Sequence, residues 1–142
     1  MIYEFRGNFN WLSNFYPCKV IYKDNEFNSV EQAYMFAKND TSGDWLNFCL
    51  NNSPAMCKAQ SKLIKIRDDW DSVKLKIMED LLFQKFNQEP FKTKLIETGN
   101  RNIVEGNFWG DIFWGVNLKV NPNYGENHLG RIIMKIREKI NE

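Results

Sequence analysis

Histidine is nearly absent from this chain, and that absence removes most metal chemistry. His128 is the only one, and no C-x-x-C or H-x-x-x-H pair is present to begin a zinc site, so no metal is expected. Cysteine is also scarce. Cys18, Cys49 and Cys57 are odd in number and lack paired spacing, which excludes a disulfide framework, fits a reducing compartment and reads as three buried thiols. No apolar run approaches the roughly 20 residues of a spanning helix, and the start, MIYEFRGNFNW, carries charge within its first six residues. A cytoplasmic location is therefore expected. Charge of one sign is missing as well: 19 basic and 18 acidic residues leave a net +1, too little for a global field that would draw the protein to nucleic acid or an anionic membrane. Any phosphate binding must be local. There are no repeats, linkers or low-complexity tracts, and 142 residues fit one domain spanning 1–142.

Three short words hold most of the unusual residue types: WLSNFYP at 11–17, SVEQAYMFAK at 29–38 and DIFWG at 111–115. Each mixes large rings with a carboxylate, an amide or an amine, whereas core segments keep rings and charges on separate faces. The pattern points to a polar, aromatic-lined pocket for a ring-bearing, phosphorylated ligand such as a nucleotide.

Residues 2–5 and 18–28 alternate as strands, with Lys23-Asp24-Asn25-Glu26 as a polar turn. Ser29 and Gln32 form a capping-box pattern, and Val30, Ala33, Tyr34 and Ala37 follow at helical spacing, which predicts a helix over 30–38. Asp40-Thr41-Ser42-Gly43 breaks it, and a short helix through Trp45–Leu50 follows. Ser53 caps a third helix with Pro54 at its first position and a stripe of Met56, Ala59, Leu63 and Ile66. Val73, Ile77, Met78, Leu81, Leu82 and Phe86 mark a long helix over 70–87. Pro90 starts a short helix that Gly99 ends. Ile103-Val104-Glu105 reads as a strand, 106–126 as an ordered loop of the functional kind, and Leu129, Ile132, Ile133, Ile136 and Ile140 as the buried side of a terminal helix whose Lys135, Arg137 and Lys139 face water. The expected fold is α+β, a mainly helical single domain with a small β-sheet.

Glu31 and Lys38 are seven residues apart, nearly the same face of a helix and about 10 Å along its axis, a spacing suited to gripping two ends of one substrate; simple solvation is the plainer reading. Asp111 lies among Phe108, Trp109, Phe113 and Trp114, where partial desolvation would raise its pKa for acid–base work. Accepting backbone N–H groups in a Gly-rich turn is the alternative. Glu105 is a third carboxylate candidate. Trp70 reads as a pocket wall or a core anchor, and Asn14 as a reader of a base or ribose edge or a turn former. Phe15, Tyr34 and Trp114 complete the rings, and Asn127 opens the last helix, whose free N–H groups could hold a phosphate or be capped in the ordinary way. GENHLG lacks the glycine spacing of a Rossmann or P-loop cradle.

In order, FRGNFNWLSNFYP, SVEQAYMFAK, RDDW at 67–70, Lys85-Phe86, Thr98-Gly99, Val104-Glu105, DIFWG and GENHLGRIIMKIR resemble the motifs of the NADAR (YbiA-like) family, named for its proposed link to NAD and ADP-ribose. The resemblance covers nearly the whole chain. It implies an N-glycosidase acting on ribosyl compounds, either ADP-ribosylated guanine in nucleotides or nucleic acid or riboflavin-pathway ribosyl phosphates. No cofactor is implied, and a monomer is plausible. Residues linked in the family to catalysis or pocket formation fall on Glu31, Trp70 and Asp111, with Lys38 as the matching lysine. Trp11, Ile133 and the enlarged loop 116–124 depart from the family pattern and bear on substrate identity.

Breaking a ribosyl C–N bond develops positive charge at C1′, which a carboxylate stabilises while a second group protonates the leaving base or activates water. Glu31 and Asp111 suit these roles. In the other route the ribose opens and the Lys38 amine traps C1′ as a Schiff base. Both routes stay open at this level. A non-catalytic ADP-ribose or NAD reader is the alternative from another class, and a partner-binding domain with its five tryptophans as an exposed patch is a further one.

Overall fold

The computed structural model describes residues 1–142. The fold is α+β and mainly helical, and it comprises two compact units, one of residues 14–85 and one of 1–13 with 86–142.

The 14–85 unit opens with an antiparallel hairpin, β1 (Val20–Tyr22) and β2 (Asn25–Phe27), registered Val20 to Phe27 and Tyr22 to Asn25. Only Lys23 and Asp24 form the turn, both at positive φ (47° and 66°), the sign pattern of the two-residue turns that match strand twist. Asn25 and Glu26, expected in the turn, are strand residues. Helix α1 (Val30–Ala37) starts where the capping-box pattern places it: Ser29 Oγ accepts from the Gln32 amide at 3.1 Å. Every residue of α1 is buried. Ser42 caps α2 (Gly43–Asn51), and Ser53 caps α3 (Pro54–Gln60) with proline at its first position.

The apolar stripe expected on α3 is not its buried side. Met56, Leu63 and Ile66 are exposed, while Cys57 and Ser61 are buried. A 3-10 turn at Ser61–Leu63 ends the helix before Leu63 and Ile66, so a 3.6-residue repeat continued through them fails. Helix α4 (Trp70–Phe86) follows, with Met78, Leu81, Leu82 and Phe86 in the core as expected and, unexpectedly, Lys85 fully buried beside them.

In the other unit, a 3-10 stretch Gly7–Leu12 seats Trp11 against Phe86, edge to face at 6.4 Å. Helix α5 (Phe91–Glu97) ends at Gly99, whose φ is 64°, the left-handed conformation glycine adopts without penalty. The expected strands 2–5 and 103–105 reduce to one parallel bridge, Ile2 to Ile103. The ribbon beyond it is parallel and two residues long, β3 (Gly106–Asn107) with β4 (Val116–Asn117). The small sheet is thus two separate ribbons, one per unit. Terminal helix α6 (His128–Ile140) buries Leu129, Ile132, Ile133 and Ile136, but it also buries Arg137, which periodicity assigned to the wet side. Cys49 and Cys57 are buried thiols, whereas Cys18 is only half-buried.

Candidate functional site

In the 14–85 unit, burial of α1 on all sides decides the reading of Glu31. A solvated carboxylate is excluded: Glu31 is 6% exposed, in the first helical turn, where the helix dipole favours negative charge. Its amide donates to the Asn14 carbonyl at 3.0 Å, so Asn14 sits directly on the start of the helix. The Asn14 side chain is buried too. Its Nδ2 reaches Met78 Sδ at 3.5 Å, and its Oδ1 has no donor.

One turn along α1, the Tyr34 ring meets Trp70 with centroids 5.0 Å apart and planes tilted by 50°. Lys38 follows the last residue of α1. Its ammonium is held below the ordinary lysine range by burial first, with the Glu31 carboxylate opposing and Lys58 and Lys74 adding to the depression. Lys58, from α3, stands over the Phe15 ring at 5.6 Å. Lys74, one turn beyond Trp70 on α4, pairs with Asp71 at 3.1 Å. Lys38 therefore feels the charges of Glu31, Lys58 and Lys74, and Phe15, Tyr34 and Trp70 supply flat apolar surface in the same unit. A local excess of positive charge attracts anions even where the net charge of the whole protein is almost zero.

Behind Lys38 a second charge group fixes the chain. Asp40 Oδ2 accepts from Tyr22 Oη at 2.6 Å, pairs with Lys23 Nζ at 3.0 Å and with Arg67 Nη1 at 2.9 Å. Arg67 also forks onto Asp69, Nε to Oδ1 at 2.6 Å and Nη2 to Oδ2 at 3.0 Å. Burial and the adjacent Asp40 carboxylate push the Tyr22 hydroxyl up to about 12. Hydrogen bonds from Tyr22 and Lys23, with the charges of Arg67 and Lys23, outweigh desolvation and hold the Asp40 carboxyl below its usual range.

Sequence reading missed Lys58, Lys74, Asp40 and the role of Arg67. The signal for Lys74 was its spacing of four from Trp70, one helical face. Lys58 carried no such signal, because its neighbour Phe15 is far away in sequence.

In the other unit the loop after β3 is built by side chains gripping backbone. Asn107, fully buried, accepts at Oδ1 from the amides of Gly110 (3.1 Å) and Asp111 (3.0 Å) and donates Nδ2 to the Asp111 carbonyl at 2.8 Å. Asp111 Oδ1 accepts from the amides of Phe113 (3.1 Å) and Trp114 (3.0 Å), the arrangement an Asp takes in tight turns. Of the rings around it, Phe108 and Trp109 stand in solvent. Trp114 packs edge-on against Phe113 at 4.9 Å, and Phe113 lies 4.5 Å from the His128 ring.

Asn127, at φ 52°, uses both ends of its amide: Oδ1 accepts from Glu105 N at 3.0 Å and Nδ2 donates to the Ile103 carbonyl at 3.0 Å. It neither caps α6 through its side chain nor leaves that amide open to a ligand. A phosphate cradle at this helix start is also excluded. The amides of Glu126, Asn127, His128 and Leu129 donate to the carbonyls of Ile112, Gly115, Phe113 and Trp114. Gly130 lets the Ile103 carbonyl and the Asn127 side chain come close to α6, since a Cβ there would collide with both.

No three His, Cys, Asp or Glu side chains group as a metal site, and no helix is long and apolar enough to cross a membrane. The exposed tryptophan patch of a partner-binding domain is not formed either: Trp11, Trp45 and Trp70 are buried, and Trp109 alone is exposed.

Comparison with known proteins places this geometry in a family. An N-glycosidase of Nostoc punctiforme is 32% identical over 134 residues, covering 90% of this chain and 83% of that protein. A riboflavin biosynthesis protein of Vibrio vulnificus is 29% identical over 99% of this chain, but the chain spans only 38% of its length. The solution structure of the Escherichia coli protein YbiA superposes with a TM-score of 0.82 at 22% identity, over 99% of this chain and 83% of that one, which establishes a shared fold. The NADAR domain profile matches residues 3–141, and the chain belongs to the NADAR domain family.

Proposed function

We propose that this protein is an N-glycosidase that cleaves the C–N bond between a ribose and a base in a phosphorylated ribosyl compound, with Glu31 and Lys38 carrying the chemistry. The observation that carries the reading is the buried Glu31 carboxylate acting on Lys38, which Lys58 and Lys74 also reach electrostatically. Glycosidic cleavage needs negative charge held beside C1′ as the bond to nitrogen lengthens. The lysines supply the complementary need, a counter-charge for phosphate. Tyr34, Trp70 and Phe15 offer the faces on which a base or ribose stacks.

Two routes share this layout. In one, Glu31 stabilises the cationic C1′ while water attacks. In the other, the ribose ring opens to an iminium between C1′ and the base, the unprotonated Lys38 amine adds to C1′, the base leaves with a proton as its bond to C1′ breaks, and water hydrolyses the resulting Schiff base to free the sugar and the amine. The lowered basicity of Lys38 favours the second, because only the unprotonated amine is a nucleophile. In this reading Asp111 orders the 111–114 turn through Oδ1 rather than transferring a proton. The substrate is an ADP-ribosylated guanine or a riboflavin-pathway aminopyrimidine ribosyl phosphate, met in the cytoplasm.

Incubation with both substrate types, followed by mass spectrometry for released base, tests the proposal. Release from either one is expected, and borohydride added during turnover is expected to leave a reduced sugar adduct on Lys38. Tight binding of ADP-ribose with no base released from either substrate would overturn it in favour of a non-catalytic reader.

A further inference from the structure

Arg137 ends the motif GENHLGRIIMKIR, and the function proposed above makes no use of it. It is 7% exposed, and its one hydrogen bond runs from Nη1 to Thr98 Oγ1 at 2.9 Å. No carboxylate pairs with it. Burial holds the guanidinium below its ordinary basicity; the adjacent Glu138 carboxylate opposes that, and Arg101 adds to it.

The plain explanation is that Arg137 braces the end of α5, whose carbonyls carry partial negative charge. Those carbonyls are already served. Leu95 O accepts from the Thr98 amide at 3.1 Å and from Thr98 Oγ1 at 2.6 Å, Ile96 O from the Gly99 amide at 3.0 Å, and Thr98 O from the Arg101 amide at 3.2 Å and Arg101 Nε at 3.3 Å. Bracing accounts for one of the five N–H donors of a guanidinium. Burying the remaining donors without acceptors is costly, and an anion beside them would satisfy several at once.

Space for that anion lies alongside. A cavity of about 610 Å³ is lined by Gly99, Asn100, Arg131, Lys135, Arg137 and Glu138, among others. Three cations face it against one carboxylate, in a protein whose whole excess is one positive charge. Guanidinium forks match the oxygens of phosphate two at a time.

We propose that this cavity, between the α5–Gly99 turn and the face of α6 that carries Arg131, Lys135 and Glu138, is a second anion site that takes a phosphate group, with Arg137 as its floor and Arg131 and Lys135 as its rim. The phosphate belongs to a free nucleotide or to a nucleic-acid backbone, which present the same chemistry. The site is separate in its residues from the Glu31 group, so either can fail alone.

The test follows the Gly99 and Asn100 amides and the Arg137 Nε–H by NMR while the full chain is titrated with inorganic phosphate, with ADP and with a short single-stranded oligonucleotide. Saturable movement of these three signals by phosphate is expected. The exposed substitutions Arg131→Glu and Lys135→Glu, which leave the helix core intact, are expected to weaken that binding at least tenfold, whereas Lys58→Ala leaves it unchanged. An oligonucleotide that displaces phosphate with a steep salt dependence identifies a backbone as the source; ADP that displaces it with no advantage to the oligonucleotide identifies a free nucleotide. Signals that none of the three probes moves, that move without saturating, or that move equally in the charge-reversed variants overturn the site.

Discussion

The Arg67 amide donates to the Lys38 carbonyl at 2.8 Å, so the RDDW word holds the end of the helix that the SVEQAYMFAK word begins. Arg67 is itself locked by Asp40 and Asp69, which anchors the backbone at Lys38. Asp40→Ala leaves the partly buried Arg67 without one acceptor and removes the partner of Tyr22. A loss of about 1–3 kcal/mol in urea unfolding is expected. Turnover should fall further than binding, since Lys38 loses its backing.

Glu31→Gln keeps the shape of the side chain and removes its charge. Turnover is expected to drop about 10²-fold or more with ligand affinity largely kept. Removal of the carboxylate also lets Lys38 lose its proton more readily, because Glu31 is the group that opposes its depression. Comparing kcat with the dissociation constant of a product analogue checks both. Full activity in the variant removes Glu31 from the mechanism.

Lys85 ties stability to pH. Burial lowers its ammonium to about 8 from 10.5, with Cys18 opposing, and the Tyr16 ring lies 6.0 Å from Nζ. Between those values the unfolded chain binds more protons than the folded one, so stability rises with pH. The cost of holding the charge inside is fully present below the folded value and gone above the unfolded one. The contribution approaches roughly 1.4 kcal/mol per pH unit within the window. Melting curves from pH 7 to 10.5 should therefore show the original protein gaining on Lys85→Met as pH rises. Parallel curves for the two proteins contradict this.

Legibility in the sequence followed the range of the interaction. Ser29, Ser42 and Ser53 bind amides three residues on; local chemistry gave the starts of α1 and α3, whereas Ser42 and Gly43, read as part of a break, open α2. Periodicity also found the buried side of α6, but it misplaced Arg137, whose partner Thr98 is 39 residues away. The α3 stripe failed because a 3-10 turn changes the repeat just where Leu63 falls. Of the site, α1 and Trp70 were legible as words of mixed chemistry. Lys58 was not, because nothing near it in sequence says that it lies over Phe15.

Asp111 and Asn127 separate loop order from chemistry in the remaining unit. Asn127→Ala removes an acceptor from the Glu105 amide and a donor from the Ile103 carbonyl and places a Cβ residue at φ 52° without the side chain that supports it. About 2–4 kcal/mol of stability should be lost, with the affinity of the surviving folded protein for ADP-ribose unchanged. Asp111→Asn keeps an oxygen for the Phe113 and Trp114 amides, whereas Asp111→Ala does not. The asparagine variant is therefore expected to retain most of its turnover, and the alanine variant to lose order in the 111–114 turn, read as faster amide exchange at Phe113 and Trp114. If instead Asp111→Asn abolishes turnover while exchange at those amides stays slow, the carboxylate takes part in proton transfer and the assignment of chemistry to Glu31 and Lys38 alone is wrong.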